Sequence, residues 1–257
     1  LGEIGDSSCA AVLICSLADE DINVRYAAVE TLGKLKVGAA VDPLLDMMSD
    51  PDPGLKFTIL QALSQIGEKI PVDRLLLHLD DRLLRKALFG CFAIVGGSEV
   101  VPYLVGGLSD PMRQVREAAL RALDVLRSQE ICLIKDLLAG ADVERIASDF
   151  EQIFSGDKQR LKEAALALYG SVGSARDLSP LLNCLTEEGL RQQVLDVFYD
   201  LGEVPFARFV SSLSSPDSLQ LLYLIFVGGE LGFPQALPLA VEAARSGDPQ
   251  LRNASAR

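Results

Sequence analysis

Histidine, cysteine and paired carboxylates are the side chains that most often carry metal or acid–base chemistry. This chain brings few of them together. His78 is the only histidine, and with no second ligand type spaced around it, it reads as a surface or hydrogen-bonded imidazole. The five cysteines, Cys9, Cys15, Cys91, Cys132 and Cys184, form no CxxC pair and fall mostly at apolar helix positions. They read as small buried hydrophobes in a reducing compartment. No metal site, no cofactor and no catalytic residue is expected on these grounds. What does recur is an acid followed six residues later by a base: Asp19 and Arg25, Asp50 and Lys56, Asp110 and Arg116. Asp also recurs at Asp157, Asp217 and Asp248. In such turns an aspartate is expected to cap a helix N-terminus, accepting a free backbone N–H and complementing the helix dipole.

The charge balance narrows the partners. There are 24 Lys and Arg against 36 Asp and Glu, a formal net charge of −12. Phosphate recognition needs clustered cations that displace counterions, and no basic block occurs, so nucleic acid is not an expected ligand. No signal peptide is visible, and the longest apolar run, Leu221 to Val227, is far shorter than the ~20 residues a bilayer needs. A cytoplasmic location without membrane association is the expectation.

Stepping from residues to elements, one unit repeats. Apolar–polar pairs occur at Val24-Arg25, Leu55-Lys56, Leu84-Arg85, Val115-Arg116, Leu161-Lys162, Leu190-Arg191, Leu219-Gln220 and Leu251-Arg252. Their spacings are 31, 29, 31, 46, 29, 29 and 32. Counting from each anchor, apolar residues return at +4, +5, +8 and +11, as in Leu88, Phe89, Phe92 and Val95, or Val194, Leu195, Phe198 and Leu201. That is one face of a helix, not strand alternation. Position +3 is usually small, and glycine often follows at +12 (Gly67, Gly96, Gly173, Gly202), where a left-handed residue would stop the helix. A second apolar helix precedes each anchor, with Pro43, Pro71, Pro102, Pro180 and Pro205 near its start. Phe92, Leu123 and Phe198, at +8, are expected to be fully buried.

Two helices and a turn every ~30 residues define an α-solenoid. The stretches SDPMRQVREAALRAL and DEDINVRYAAVETLGKL resemble the HEAT-repeat family in its short bacterial form, the phycobilisome-lyase-type HEAT-like repeat. The resemblance spans essentially the whole chain. It implies an all-α, right-handed superhelix of about seven complete helical hairpins. It also implies that the turn Asp and the base after the anchor form a ladder between neighbouring units. The third repeat departs, leaving Asp80 or Asp81 to serve, and the seventh has Gln220 in place of the base. Because the chain begins with LGEIG and stops within a helix, it reads as a single solenoid over 1–257, cut at both ends. The spacing of 46 adds 15 residues to a repeat. Apolar residues in Glu130–Leu138 predict an extra helix there, giving a three-helix, armadillo-like unit with its turn at Gly140. This break would divide the array into arms 1–127 and 128–257 and could act as a hinge.

With +4, +5, +8 and +11 in the core, +2, +6 and +9 of each second helix face outward, a surface the family resemblance places on the concave side. The candidate partner-binding stripe comprises Tyr26, Glu30, Phe57, Gln61, Lys86, Glu117, Arg121, Glu163, Gln192, Asp196 and Tyr199. Gly90 lies on the same stripe. Tyr26 and Phe57 stand out as anchors because aromatics are enriched at interfaces. The leading functional expectation is a scaffold that binds a protein or peptide there without catalysis. The resemblance also implies an alternative, a bilin-lyase-like or chromophore-handling subunit, for which no residue singles out the chemistry. DNA glycosylases built on such repeats are opposed by the charge. Di-iron hydroxylases need His-Glu pairs that are absent.

Overall fold

The computed structural model describes residues 9–139, 143–172, 178–213 and 216–255. Among these residues every regular element is helical and none is a strand. Two compact units, Leu1–Leu137 and Leu138–Arg257, divide the chain. The first contains α1 (Ala10–Ser16), α2 (Ile22–Lys34), α3 (Val41–Asp46), α4 (Pro53–Ile66), α5 (Asp73–Leu76), α6 (Arg85–Val95), α7 (Val101–Gly107) and most of α8 (Arg113–Ala139). The second contains α9 (Val143–Phe154), α10 (Gln159–Val172), α11 (Ser179–Cys184), α12 (Arg191–Leu201), α13 (Glu203–Ser212), α14 (Ser218–Leu231), α15 (Ala236–Ala244) and α16 (Pro249–Ser255). The elements alternate as first and second helices of successive hairpins. The second helices stack side by side, α2 on α4 on α6 in the first unit and α10 on α12 on α14 on α16 in the second. This is an all-α solenoid, and its core lies between the two helix layers.

The apolar periodicity sets that core. Phe92, Leu123 and Phe198 are each fully buried, as the +8 register requires. Phe92 meets Phe89 at a centroid distance of 6.3 Å, and Phe198 packs edge-on to Phe206 at 6.0 Å. Small residues allow close approach. A Cβ on Gly33 would sit 2.8 Å from the Ala62 backbone of the next second helix. One on Gly107 would strike the Phe89 ring and come within 3.1 Å of Ala119, so α6, α7 and α8 converge there.

Helix ends follow a two-residue division of labour that the spacing did not reveal. Asp21, Asp52 and Asp217 are the N-caps, each accepting a backbone N–H of its helix. Asp248, directly before α16, likewise accepts the N–H of Gln250 inside its helix, whereas Asp19, Asp50 and Asp110 accept the N–H two residues on, at 2.8–2.9 Å, and close the turn ahead of the helix. Asp81 does the same for Leu83 in the third repeat. Of the acids expected as caps, Asp217 and Asp248 take that role, Asp217 completing a capping box with Gln220. Gln220 thus has a local use where the other repeats carry a base. Gly67 and Gly202 end their helices with φ of 73° and 80°. Gly96 does not: its backbone is extended, and a Cβ there would crowd Val100 and the Phe92 carbonyl. Gly173 and the turn expected at Gly140 lie outside the described residues.

The extra segment is helical. Glu130 (φ −117°, ψ 21°) interrupts α8, and a helical stretch continues from there to Ala139. Ile134 and Leu138 are fully buried, while Ile131, Leu133 and Leu137 are half-buried. The apolar spacing thus marks a helix, but its upstream join is a kink rather than a loop.

Candidate functional site

The ladder bases orient the turns beside the stripe. Arg25, Arg85, Arg116, Arg191 and Arg252 each donate to the backbone carbonyl six residues earlier, at 2.9–3.0 Å. Arg25 also reaches Asp50 of the following turn at 3.5 Å. Arg85 reaches Asp110 and Lys162 reaches Glu187, both again 25 residues onward. The six-residue acid–base pairs are therefore not side-chain pairs. The base holds its own turn through a carbonyl and the next turn through an acid. Lys56 forms no such rung among the described residues.

The stripe residues fare unequally. Tyr26 is half-buried, and its hydroxyl donates to Asp52 Oδ1 at 2.8 Å. That carboxylate also accepts the Leu55 N–H at 2.8 Å. The backbone bond, followed by the tyrosine hydroxyl, draws the Asp52 carboxyl below its ordinary range. Partial burial, with the neighbouring acid, raises the Tyr26 phenol. Tyr26 is therefore a strut to the next repeat's cap, not a free anchor. Glu117 is buried rather than outward, at 7% exposure, bonded by Arg113 at 2.9 Å and approached by Arg121 at 3.4 Å. Glu163 is half-buried. Gln192 and Asp196 are exposed but satisfy one another at 3.1 Å. Glu30 pairs with Lys34 at 3.7 Å. Phe57, Gln61, Lys86, Arg121 and Tyr199 are exposed as expected, Tyr199 at 74%.

Within the first unit, the adjacent second helices α4 and α6 each carry part of the stripe. Ser64 lies close to Cys91, and Gly67 faces Ile94, so residues of α4 lie level with residues about 27 later in α6. On that offset Phe57 lies level with Leu84, just ahead of α6, and Gln61 with Leu88. In the second unit, Glu163 lies on α10, and Gln192, Asp196 and Tyr199 lie on the adjacent α12.

The remaining titratable groups read as structural. Burial pushes the Cys91 thiol up to about 11, partly offset by Ser64. Cys184 is likewise pushed up to about 11 by burial, with Lys162 lowering and Glu187 raising it. His78, just after α5, is lowered by burial and then by Lys56. No group of three His, Cys, Asp or Glu among the described residues could hold a metal. No helix among them is long and apolar enough to cross a membrane. A shallow groove of about 510 Å³ along α13, lined by Glu203, Val204, Ala207, Arg208, Ser211 and Gln235 among others, was not marked by the stripe. It lies on first helices, which the outward-facing count of second helices passes over.

Comparison with known proteins agrees with this architecture. Residues 10–89 match the family model for HEAT repeats, and residues 100–126 match that for the HEAT repeat. These matches, with the similarity to a lyase subunit that follows, support the resemblance to HEAT-like repeats of the phycobilisome-lyase type. It is 24% identical to the phycocyanobilin lyase subunit alpha of a Picosynechococcus species, across 86% of this chain and 84% of that protein. Among solved structures, an engineered protein is similar with a TM-score of 0.55 at 16% identity, covering 96% of this chain and 76% of that one. The complex of CpcE and CpcF of phycocyanin lyase from Nostoc sp. PCC7120 is similar with a TM-score of 0.47 at 18% identity, covering 89% and 84%. The lyase-subunit relative overturns the order of the functional expectations. A non-catalytic scaffold came first because no cluster of reactive side chains was visible. Similarity along most of both chains favours the chromophore-handling alternative instead.

Proposed function

We propose that this protein is a bilin-lyase-type subunit: it handles a linear tetrapyrrole and works with a protein partner in attaching or transferring it. The observation that carries this reading is the similarity to a phycocyanobilin lyase subunit over most of both chains. The architecture is compatible with it. A solenoid offers an extended outward face rather than a closed pocket, and a flexible conjugated ligand together with an acceptor protein needs such a face. The word subunit in the relative's name supports a protein partner for this chain as well. The net charge of −12 gives no support to a nucleic-acid partner.

The test is titration of the full chain with phycocyanobilin, followed by addition of an apo-antenna protein and a partner subunit. A red-shifted, sharpened visible band on binding, and bilin fluorescence that stays with the antenna protein on a denaturing gel, are the expected results. An absorbance spectrum identical to that of free bilin, together with no covalent product above the chain-free control, would overturn the reading.

A further inference from the structure

α13 carries two faces. Phe206 and Phe209 are buried and join the core, Phe206 packing on Phe198 and on Phe233, whose ring centroid lies 5.1 Å away. Val204, Ala207, Arg208 and Ser211 recur at i, i+3, i+4 and i+7, so they share a second face. That face lines the shallow groove of about 510 Å³. Gln235, just ahead of α15, bounds one end of it, its Nε2 donating to Glu203 Oε1 at 2.6 Å. Elsewhere in this unit first helices pack on one another, as α9 does on α11. Beside α13 the layer leaves a groove instead.

The groove face is incomplete in three respects. Val204, a branched aliphatic residue, keeps 60% of its surface exposed. Arg208 is exposed and forms no ion pair among the described residues, because the nearby Glu203 carboxylate is engaged by Gln235. Gln235 Oε1 is shielded from water yet accepts no hydrogen bond among the described residues, a cost that native structures seldom leave unmet. An apolar wall, an uncompensated cation and an unmet acceptor therefore meet along one concave strip.

We propose that the α13 groove is the docking site for the protein partner of the lyase-type reading, which lays a short apolar segment bearing a carboxylate along it. The segment's aliphatic side chains cover Val204 and Ala207, and its carboxylate pairs with Arg208. Interface side chains commonly change rotamer on docking, which brings Gln235 Oε1 within reach of a donor on the segment. The inference rests on the proposed function, which calls for a protein partner, and adds where that partner binds and what it must carry. The groove runs open along a helix of 10 residues, about 15 Å long, which suits a chain that continues past both ends. It seats the central anchor of an interface rather than the whole of it. Charge selects the occupant. Arg208 calls for a carboxylate, one cation beside an engaged glutamate offers no track for phosphates, and two copies of a chain with net charge −12 repel.

The experiment measures binding of the partner subunit of the lyase assay to the full chain by calorimetry, for the parent, Val204→Asp and Arg208→Glu. Arg160→Glu, the same charge reversal at an exposed site on α10, is the control. Both groove substitutions alter side chains already in solvent, and a carboxylate in the first turn of α13 is favoured by the helix dipole, so each variant should keep the parent's Tm. Each should bind the partner at least tenfold more weakly, with the Arg208→Glu deficit shrinking at high salt, while phycocyanobilin binding without the partner and the binding of Arg160→Glu stay at parental strength. If the parent binds the partner and both groove variants bind it within twofold, the partner docks elsewhere and the inference falls, while the lyase-type reading stands. If the parent binds bilin but no partner, the inference falls again and the reading keeps only its chromophore half. Loss of bilin binding in the groove variants would give the groove to the chromophore. A homodimer of the chain alone that Arg208→Glu disperses, seen by light scattering, would give it to a second copy. Either result overturns the assignment.

Discussion

At the scale of single residues, Tyr26 shows how an outward aromatic can be misread. Its position in the repeat marks it as exposed, and exposed aromatics suggest a binding anchor. The hydroxyl is nonetheless spent on Asp52, the cap of the next second helix. Nothing in the spacing shows that, because the partner lies 26 residues away. The consequence is a pH dependence. The Asp52 carboxyl is drawn below its unfolded value by the Leu55 N–H and the Tyr26 hydroxyl. Its contribution is therefore complete above the unfolded carboxylate range, about pH 4, and is lost as the pH falls through the lower folded value. Tyr26→Phe should lower stability at neutral pH, with the difference from the parent shrinking as the pH falls through the carboxylate range, so that its acid limb is the shallower. Superimposable acid limbs for the two proteins would show that the strut does not tune the cap. The cysteines offer a second check. Thiols held near 11 in a packed interior are protonated and inaccessible, so iodoacetamide at about pH 8 should label exposed Cys15 and Cys132 but leave Cys91 and Cys184 untouched until the chain unfolds. Labelling of Cys184 in the folded protein, read by peptide mass spectrometry, would contradict its burial.

At the scale of elements, the helix faces were legible because burial repeats with the helical period and leaves its imprint at every turn. Phe92 and Phe198 fill the layer between hairpins with full burial, and truncating either to Ala should cost ~3–5 kcal/mol in chemical denaturation. The turns were legible only in part. An acid and a base six residues apart are visible in sequence, but a backbone carbonyl is not, and the carbonyl is the base's local partner. The reach to the next turn also makes the rungs unequal. Arg25 and Asp50 share a partly exposed pair at 3.5 Å. Asp110, in contrast, is almost completely buried beneath Arg85. Arg25→Ala should therefore cost less than ~1 kcal/mol. Arg85→Ala, which strands a buried carboxylate, should cost ~2–3 kcal/mol. Adding Asp110→Asn should recover part of that loss, since the amide oxygen can still accept the Met112 N–H. Equal costs for the two arginines would mean that burial of the acid does not matter. The kink at Glu130 had no such signature. No glycine or proline marks it, and the apolar pattern on either side is helical.

At the scale of the whole molecule, the repeat pattern reveals architecture far more readily than activity. Stacked hairpins satisfy their cores whatever they bind, so the residues that repeat are structural, and the informative ones are those that break the repeat without a packing reason. The stripe mixes struts such as Tyr26, mutually satisfied pairs such as Gln192 and Asp196, and exposed groups such as Tyr199. The same modularity governs stability. In a solenoid each hairpin gains its stabilisation from its immediate neighbours, so a local loss is felt locally before it becomes global. This chain forms two compact units, each with its own buried phenylalanine layer, Phe89 and Phe92 in one and Phe198 and Phe206 in the other. Phe92→Ala should therefore raise amide hydrogen exchange most strongly in α4 and α6, which pack together, and leave α12 and α14 near parental rates. Phe198→Ala should do the reverse, and its thermal melt should broaden or split as the second unit loses structure first. Exchange that rises uniformly through both units in either variant, with a single sharp melt, would show instead that the array unfolds as one cooperative block.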